Sequence, residues 1–348
     1  MNLNNTIPEG KGIYVFSDPA GANAILALVD KLILEGYVAR KDFLVFTSNF
    51  KESLFPYKDV LDIVGCNEKE LVDVIHNFKP SYIFSGTSLN IFEHLWRKAA
   101  IKENVKVISF IDHWTSYIER FSFNNEIIFG NEVLVVNEIA KREAIQAGIP
   151  EKLITVYGNP YYNKVKKFQP KFSKEKFFKS LGLEISKKTI LFISDDIKRS
   201  FPENEKGEIQ LGFNEYSVLK DLLISFQMLE TEIDLSNFQL LIKLHPKSKE
   251  NKFDQLITDF SPQTLNTYCV KNCEPLTINY YSDFVIGMFS NMVIESFLLG
   301  KKILRVQTGQ KQIDFFKFTE YPFKPITKVI DLPKKNINLI TEQLKTKL

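Results

Sequence analysis

Two short stretches in the C-terminal half carry the residue types best suited to chemistry. One is Leu241-Ile242-Lys243-Leu244-His245-Pro246. The other is Asp283-Phe284-Val285-Ile286-Gly287-Met288-Phe289-Ser290-Asn291. Each is an apolar, strand-like run that stops at polar residues. Ligands of open α/β sheets bind outside the carboxyl ends of the strands, so His245 and Ser290 stand where chemistry is expected. An imidazole can hydrogen-bond a phosphate or a base, or give a proton to a leaving group, and Pro246 stiffens the turn that presents it. The alternative is a turn histidine with no role. Gly287 to Asn291 lies between a strand and a helix, where free N–H groups and the helix dipole favour phosphate. Ser290 at the N-cap can donate to that phosphate or simply cap the helix. Glu274-Pro275 precedes another helix, so its carboxylate can accept from a ribose diol or complement the helix dipole. Ser194, at the end of the strand-like run Thr189 to Ile193, joins this set. A histidine, a glutamate and a serine on successive strand ends could grip one nucleotide.

The N-terminal half offers a second group. Ser17-Asp18-Pro19-Ala20-Gly21-Ala22-Asn23 follows the first apolar run. Small residues such as Gly21 let a ligand approach the backbone closely, and Asn23 stands beside them. Asp18 is a candidate general base for an acceptor hydroxyl, or a helix N-cap. Asp112-His113-Trp114 ends another run: Asp112 is the second candidate base, His113 could bind an acceptor, and Trp114 could stack on a sugar face. Ser85 and Thr87, either side of Gly86, are expected to line the same cleft. Asp195-Asp196 suggests a metal at first sight, but adjacent carboxylates point apart and no third ligand is evident; loop or cap roles fit better. Glu215-Tyr216 is expected to border the nucleotide pocket.

Alternating elements must position these residues. Strand-like runs at Ile13–Phe16, Phe43–Thr47, Tyr82–Phe84, Val105–Ile111, Glu132–Val136 and Ile154–Tyr157 alternate with helical patterns such as Ala22–Leu34, Leu71–Phe78, Ile91–Ile101 and Glu138–Ala147. The rhythm stalls from Tyr161 to Ser186, read as a connection followed by a short helix. It resumes with strands at Thr189–Ile193, Phe238–Leu244, Thr267–Val270, Phe284–Ile286 and Lys302–Val306, and helices at Tyr216–Thr231, Asn251–Asp259, Leu276–Tyr281 and Asn291–Leu299. Strand–helix repetition predicts parallel sheets covered by helices. The expected fold is α/β of the GT-B kind: two doubly wound Rossmann-like domains facing a cleft. Residues 1–165 form the acceptor-binding domain and 166–330 the nucleotide-sugar donor domain. A C-terminal helix in 331–348, from Lys334 to Leu348, packs back on the first domain.

Composition narrows the classes. The chain has 348 residues, enough for two domains, and 44% are hydrophobic, enough for two cores. Its net charge of +3 comes from dispersed lysines with no dense basic stripe, so nucleic acid is not an expected partner. No apolar run is long enough to span a bilayer. The polar segment Met1–Gly10 has no signal-peptide core, so a cytoplasmic location is expected. Peripheral association with the inner membrane, or with a capsule or O-antigen assembly complex, stays open. Cys66, Cys269 and Cys273 are read as simple thiols; aromatic pairs such as Tyr161-Tyr162 and Phe315-Phe316 are read mostly as core, the alternative being a membrane- or partner-binding surface.

The order His245-Pro246, Glu274-Pro275, then Gly287 to Ser290 before a helix ending in Leu299-Gly300-Lys301-Lys302, resembles bacterial GT-B glycosyltransferases that use CMP-activated sugars: sialyl-, polysialyl- and Kdo transferases. The resemblance covers roughly Thr189 to Thr308; the N-terminal half matches in architecture. It implies that His245 contacts the CMP phosphate or acts as acid to it, that Glu274 holds the ribose and that Ser290 binds phosphate. Several members carry two adjacent hydroxyls where this sequence has Ser290-Asn291. The implied activity is inverting, metal-independent transfer of a nonulosonic or Kdo-type sugar to a surface polysaccharide or glycolipid, with no cofactor. A second resemblance, carried by Gly148-Ile149-Pro150 and Val156-Tyr157-Gly158-Asn159-Pro160, is to the linker entry of UDP-GlcNAc 2-epimerases and lipid A disaccharide synthase. Alternatives are therefore a UDP-sugar GT-B enzyme such as an epimerase-like protein, a CDP-glycerol-type transferase, or a non-catalytic nucleotide-binding scaffold.

Overall fold

The computed structural model describes residues 7–37, 42–48, 60–62, 67–309, 311 and 328–329. Cys66, Phe315-Phe316 and the helix expected over Lys334 to Leu348 lie outside the described residues. The chain divides into two compact units, Met1–Lys164 and Val165–Leu348.

The first unit contains β1 (Gly12–Phe16), α1 (Pro19–Leu34), β2 (Phe43–Thr47), β3 (Val60–Asp62), α2 (Glu68–Phe78), β4 (Tyr82–Ser85), α3 (Ile91–Lys102), β5 (Lys106–Ile111), β6 (Ser122–Phe123), β7 (Glu126–Ile127), β8 (Glu132–Val135), α4 (Glu138–Gln146) and β9 (Ile154–Val156), and α5 (Pro160–Lys166) leads out of it. Its main sheet is parallel, in the order β3-β2-β1-β4-β5-β8-β9. The order reverses between β1 and β4, which pair directly, Gly12 with Tyr82 through Val15 with Ser85. Every residue of β1 and β4 is buried, as expected for strands covered on both faces. One of those faces carries Ile13, Val15, Ile83 and Val107 against Leu71, Ile75 and Trp96. Trp96 is fully buried and its ring centroid lies 4.7 Å from that of Phe46.

The second unit contains α6 (Lys174–Leu181), β10 (Lys188–Ile193), α7 (Ile197–Ser200), α8 (Glu215–Leu229), β11 (Phe238–Lys243), α9 (Asp254–Phe260), β12 (Asn266–Val270), α10 (Pro275–Tyr281), β13 (Phe284–Gly287), α11 (Asn291–Leu298), β14 (Lys302–Val306) and β15 (Lys328–Val329). Its sheet is parallel in the order β12-β11-β10-β13-β14-β15. The reversal falls between β10 and β13, paired from Ile190–Phe284 to Phe192–Ile286. Both units are thus Rossmann-like α/β folds, and each has one switch point where ligands of such sheets bind.

Local chemistry explains where the elements differ from the sequence expectation. The first helix starts at Pro19, three residues earlier than the apolar period suggests. Proline suits the first helical turn because it has no N–H to satisfy, and Asp18 caps it by accepting from Gly21 N at 2.7 Å. The stretch from Tyr161 to Ser186 holds two helices, α5 and α6, the latter capped by Ser173 and closed by Gly182 at φ +70°. An unforeseen hairpin joins β6 to β7 through Asn124-Asn125, both at positive φ, the backbone that a tight two-residue hairpin turn requires.

Candidate functional site

In the second unit the site grows from the turn after β13. Gly287 closes that strand, and a Cβ there would meet Val293 Cγ2 at 2.5 Å, so α11 packs on the strand only with glycine. Ser290 caps α11, its Oγ accepting from Met292 N at 3.4 Å. Asn291 begins the helix. Arg305, buried on β14, donates from Nε to the Met288 carbonyl at 2.8 Å and so pins the turn. Across the switch point, Ser194 is buried, its hydroxyl donating to the Asp195 carbonyl at 3.1 Å. Asp195 accepts from the Phe289 N–H at 3.4 Å and from the Ser290 hydroxyl. Burial, helped by the nearby Glu215, pushes the Asp195 carboxyl up to about 7 against those hydrogen bonds. Ser290 is therefore tied through Asp195 to the end of β10 as well as to its own helix.

His245 follows β11 with a side chain about one-third exposed. Its Nδ1 accepts from the Lys247 backbone N–H at 3.2 Å, which leaves the ring proton on Nε2. Burial lowers its pKa, with the Asp196 carboxylate 3.8 Å away opposing. The ring is thus a neutral N–H donor. Pro246 beside it is exposed. Glu274 is exposed as well, and its carboxylate accepts from the Thr277 hydroxyl at the start of α10.

In the first unit the switch point gathers carboxylates and arginines. Asp18 is pushed up to about 6, chiefly by burial and then by Asp112, while the Gly21 N–H and Arg120 pull it down. Asp112, at the end of β5, is buried and pairs with Arg120 Nη1 at 3.1 Å. Arg120 also donates to the Thr87 carbonyl at 2.8 Å and the Thr115 carbonyl at 2.9 Å. His113 has its pKa pulled down to about 4 by burial, so it is neutral at pH 7.

Three of the residues expected to line an acceptor cleft serve the fold in this structure. Ser85 is fully buried and donates to the Gly86 carbonyl at 2.7 Å. Thr87 is buried and donates to the Phe110 carbonyl at 2.9 Å. Trp114 is 3% exposed, with its indole N–H donating to Asn137 at 3.0 Å, which leaves its ring no open face for a sugar. Gly21 is buried in α1, and Asn23 is exposed on the same helix.

Sequence reasoning missed the residues that hold these loops. Glu93 is fully buried on α3 and accepts from the backbone of Ser17 and Ser88. Arg97, one turn on, is buried too and donates to Ser85 Oγ at 3.3 Å and the Gly86 carbonyl at 3.2 Å. Their i, i+4 spacing was a visible signal, but such pairs usually face solvent. Lys252, in the loop between β11 and α9, is joined to Glu215 at 2.7 Å, and nothing in its sequence surroundings marks it.

No protein-family model and no curated protein matches the sequence. Solved structures do. A Listeria monocytogenes protein assigned as a UDP-N-acetylglucosamine 2-epimerase is similar with a TM-score of 0.68 at 12% identity, over 97% of this chain and 89% of that one. The UDP-GlcNAc 2-epimerase of Methanocaldococcus jannaschii, in complex with UDP-GlcNAc and UDP, gives 0.60 at 15% identity over 97% and 93%. Anabaena HepE in complex with UDP-glucose gives 0.61 at 13% identity over 97% and 90%. The fold is GT-B. The same likeness corrects the resemblance to CMP-sugar sialyl-, polysialyl- and Kdo transferases, and with it the inverting acidic-sugar transfer that it implied: nearly the whole chain aligns with proteins described as UDP-GlcNAc 2-epimerases or as bound to a UDP-sugar. The three short motifs behind that resemblance are features of sheet ends and helix caps, which sheets of one architecture share across different donors.

Proposed function

We propose that this chain is an enzyme acting on a UDP-sugar, of the epimerase-like kind. The second unit holds the nucleotide at its switch point, through the turn that Ser290 caps and the Nε2–H of His245. A neutral imidazole and backbone N–H groups suit phosphate oxygens without a change of protonation on binding. The first unit handles protons. Epimerisation at C2 of such a sugar removes the C2 proton as the C1–O bond to UDP breaks, the electron pair forming a C1–C2 double bond, and returns a proton to the other face as UDP re-adds at C1, so it needs groups that titrate near neutrality.

The observation that carries this reading is Asp18. Its carboxyl sits at about 6 because it is buried beside Asp112, a value poised for proton exchange at physiological pH. Support for the nucleotide comes from the UDP-sugars described in the similar solved structures. The test has two parts. Calorimetry with UDP, CMP and CDP should give the tightest binding for UDP. Incubation with UDP-GlcNAc in D₂O, followed by NMR, should then place deuterium at C2 of the sugar, and Asp18→Asn should prevent it. A preference for CMP, or binding of none of the three, overturns the reading.

A further inference from the structure

One cavity of the second unit lies beside the proposed nucleotide contacts. It holds about 280 Å³ beside α7 and the loop after β11, the room of about nine waters. Its back wall is a buried network. The Lys252 ammonium donates to Glu215 Oε1 at 2.7 Å, to Ser248 Oγ at 3.2 Å and to the Asp195 carbonyl at 3.4 Å. The other Glu215 oxygen accepts the Lys198 backbone N–H at 2.9 Å. Lys252 and Glu215 are 7% and 1% exposed at their side chains, so this wall is rigid and internally neutralised. The ring of Tyr216 completes it, with the Lys252 ammonium 5.4 Å from its centroid.

The mouth differs from the wall. Arg199 donates from Nε to Asp196, and its two Nη groups have no protein partner among the described residues. Lys249 and Asn251 are exposed, and their side chains are likewise unpartnered among the described residues. Around the cavity four cations face two carboxylates, and both carboxylates are already engaged. What remains is a guanidinium fork, an ammonium and an amide, all with N–H groups to give. A carboxylate ligand has two oxygens to meet them; a phosphate monoester has three and a second negative charge.

We propose that this cavity binds a small phosphate monoester, with Arg199 and Lys249 on the phosphate and Asn251 at its edge. The volume suits a phosphorylated triose- or hexose-sized molecule and is small for a whole nucleotide sugar. Asp196 on its rim lies 3.8 Å from His245 Nδ1, so the cavity adjoins the proposed nucleotide site, while Arg199, Lys249 and Asn251 are not among the groups assigned to the nucleotide.

The test titrates the full chain at about 0.15 M salt, where diffuse surface attraction is largely screened. The probes are glycerol 3-phosphate, glucose 1-phosphate and inorganic phosphate. An ester is expected to bind at least tenfold more tightly than it binds Arg199→Gln or Lys249→Gln, with Lys206→Gln unchanged as the control for an exposed lysine elsewhere. Lys249→Gln should leave UDP affinity as it was. Inorganic phosphate binding as well as the esters would identify the free anion as the ligand; weaker binding would identify the ester. Either supports the site. Equal losses in all three variants, no saturable binding by any probe, or displacement of the ester by stoichiometric UDP overturns it. A failure of the UDP reading shows separately, as absent UDP binding with ester binding intact.

Discussion

Ser88 and Glu93 form the joint between two loops of the first unit's switch point. One Glu93 oxygen accepts the Ser88 backbone N–H at 2.6 Å and its hydroxyl at 2.5 Å; the other accepts the Ser17 N–H at 3.0 Å. The glutamate approaches so closely that a Cβ on Gly86 would lie 2.6 Å from Oε1. Complete burial, with Asp18 nearby, pushes its carboxyl from 4.5 up to about 7. A carboxyl whose folded value is raised binds its proton more tightly in the folded state. Stability is therefore lost as pH rises from about 4.5 to about 7, by on the order of 3 kcal/mol when complete. Denaturant unfolding at pH 5 and pH 8 should show the advantage of the native chain over Glu93→Gln shrinking toward the higher pH. A difference that does not move with pH would sink this assignment.

How much of this was legible in the sequence follows from what each residue touches. Strand order is written in apolar runs that end at polar residues, so β1, β2, β11 and β14 stand within a residue of where the pattern puts them. The caps at Asp18 and Ser290 are local, since each accepts from an N–H two or three residues on. The site's framework is not local. Glu93 reaches Ser17 across 76 residues, Lys252 reaches Glu215 across 37, and Asp195 reaches Phe289 across 94. No periodicity encodes such pairs. The CMP-sugar resemblance rested on His-Pro, Glu-Pro and a serine cap, and these fix the ends of a doubly wound sheet, which different donors share.

Arg120 is one of the groups that hold the Asp18 pKa down. Its guanidinium bridges Asp112 and two loop carbonyls and lowers the Asp18 pKa, against burial and Asp112 which raise it. As a base, Asp18 works ionised, so turnover should rise with pH through about 6. Arg120→Gln removes the cation and should move that limb to higher pH, while Arg120→Lys should restore it in part. Asp18→Asn should reduce turnover by about 100-fold or more. A limb that stays near 6 in Arg120→Gln would separate Asp18 from the profile.

His245 offers a narrower test. Because Nδ1 accepts from the Lys247 N–H and burial lowers the ring's pKa, the imidazole is already neutral at pH 7. UDP affinity should then be flat between pH 7 and 8.5, and should change only at lower pH, where charging the ring makes Nδ1 a donor and breaks its bond from the Lys247 N–H. Loss of the hydrogen bond in His245→Ala should cost about 1.5–3 kcal/mol, roughly 10- to 100-fold in Kd. His245→Gln, which keeps an N–H at similar reach, should recover part of it. Calorimetry at three pH values separates this from a charged-histidine contact, which would weaken as pH rises.

Gly212 carries a prediction that no functional reading affects. It lies before α8 at φ +82°, where L side chains are strained, and a Cβ on it would stand 1.9 Å from the carbonyl oxygen of Gly309. That oxygen belongs to the turn after β14, itself fixed by the Lys311 N–H donating to the Leu211 carbonyl at 3.0 Å. Neither backbone can yield without breaking the other. Gly212→Ala should destabilise the second unit by about 2 kcal/mol or more, the sum of a strained backbone and a displaced loop. Gly207, also at positive φ (+73°) but with nothing within 4 Å of an added Cβ, bears only the strain, so Gly207→Ala should cost about 1 kcal/mol. Equal losses at the two positions, measured by denaturant unfolding, would show that the contact between Gly212 and Gly309 contributes nothing beyond conformation.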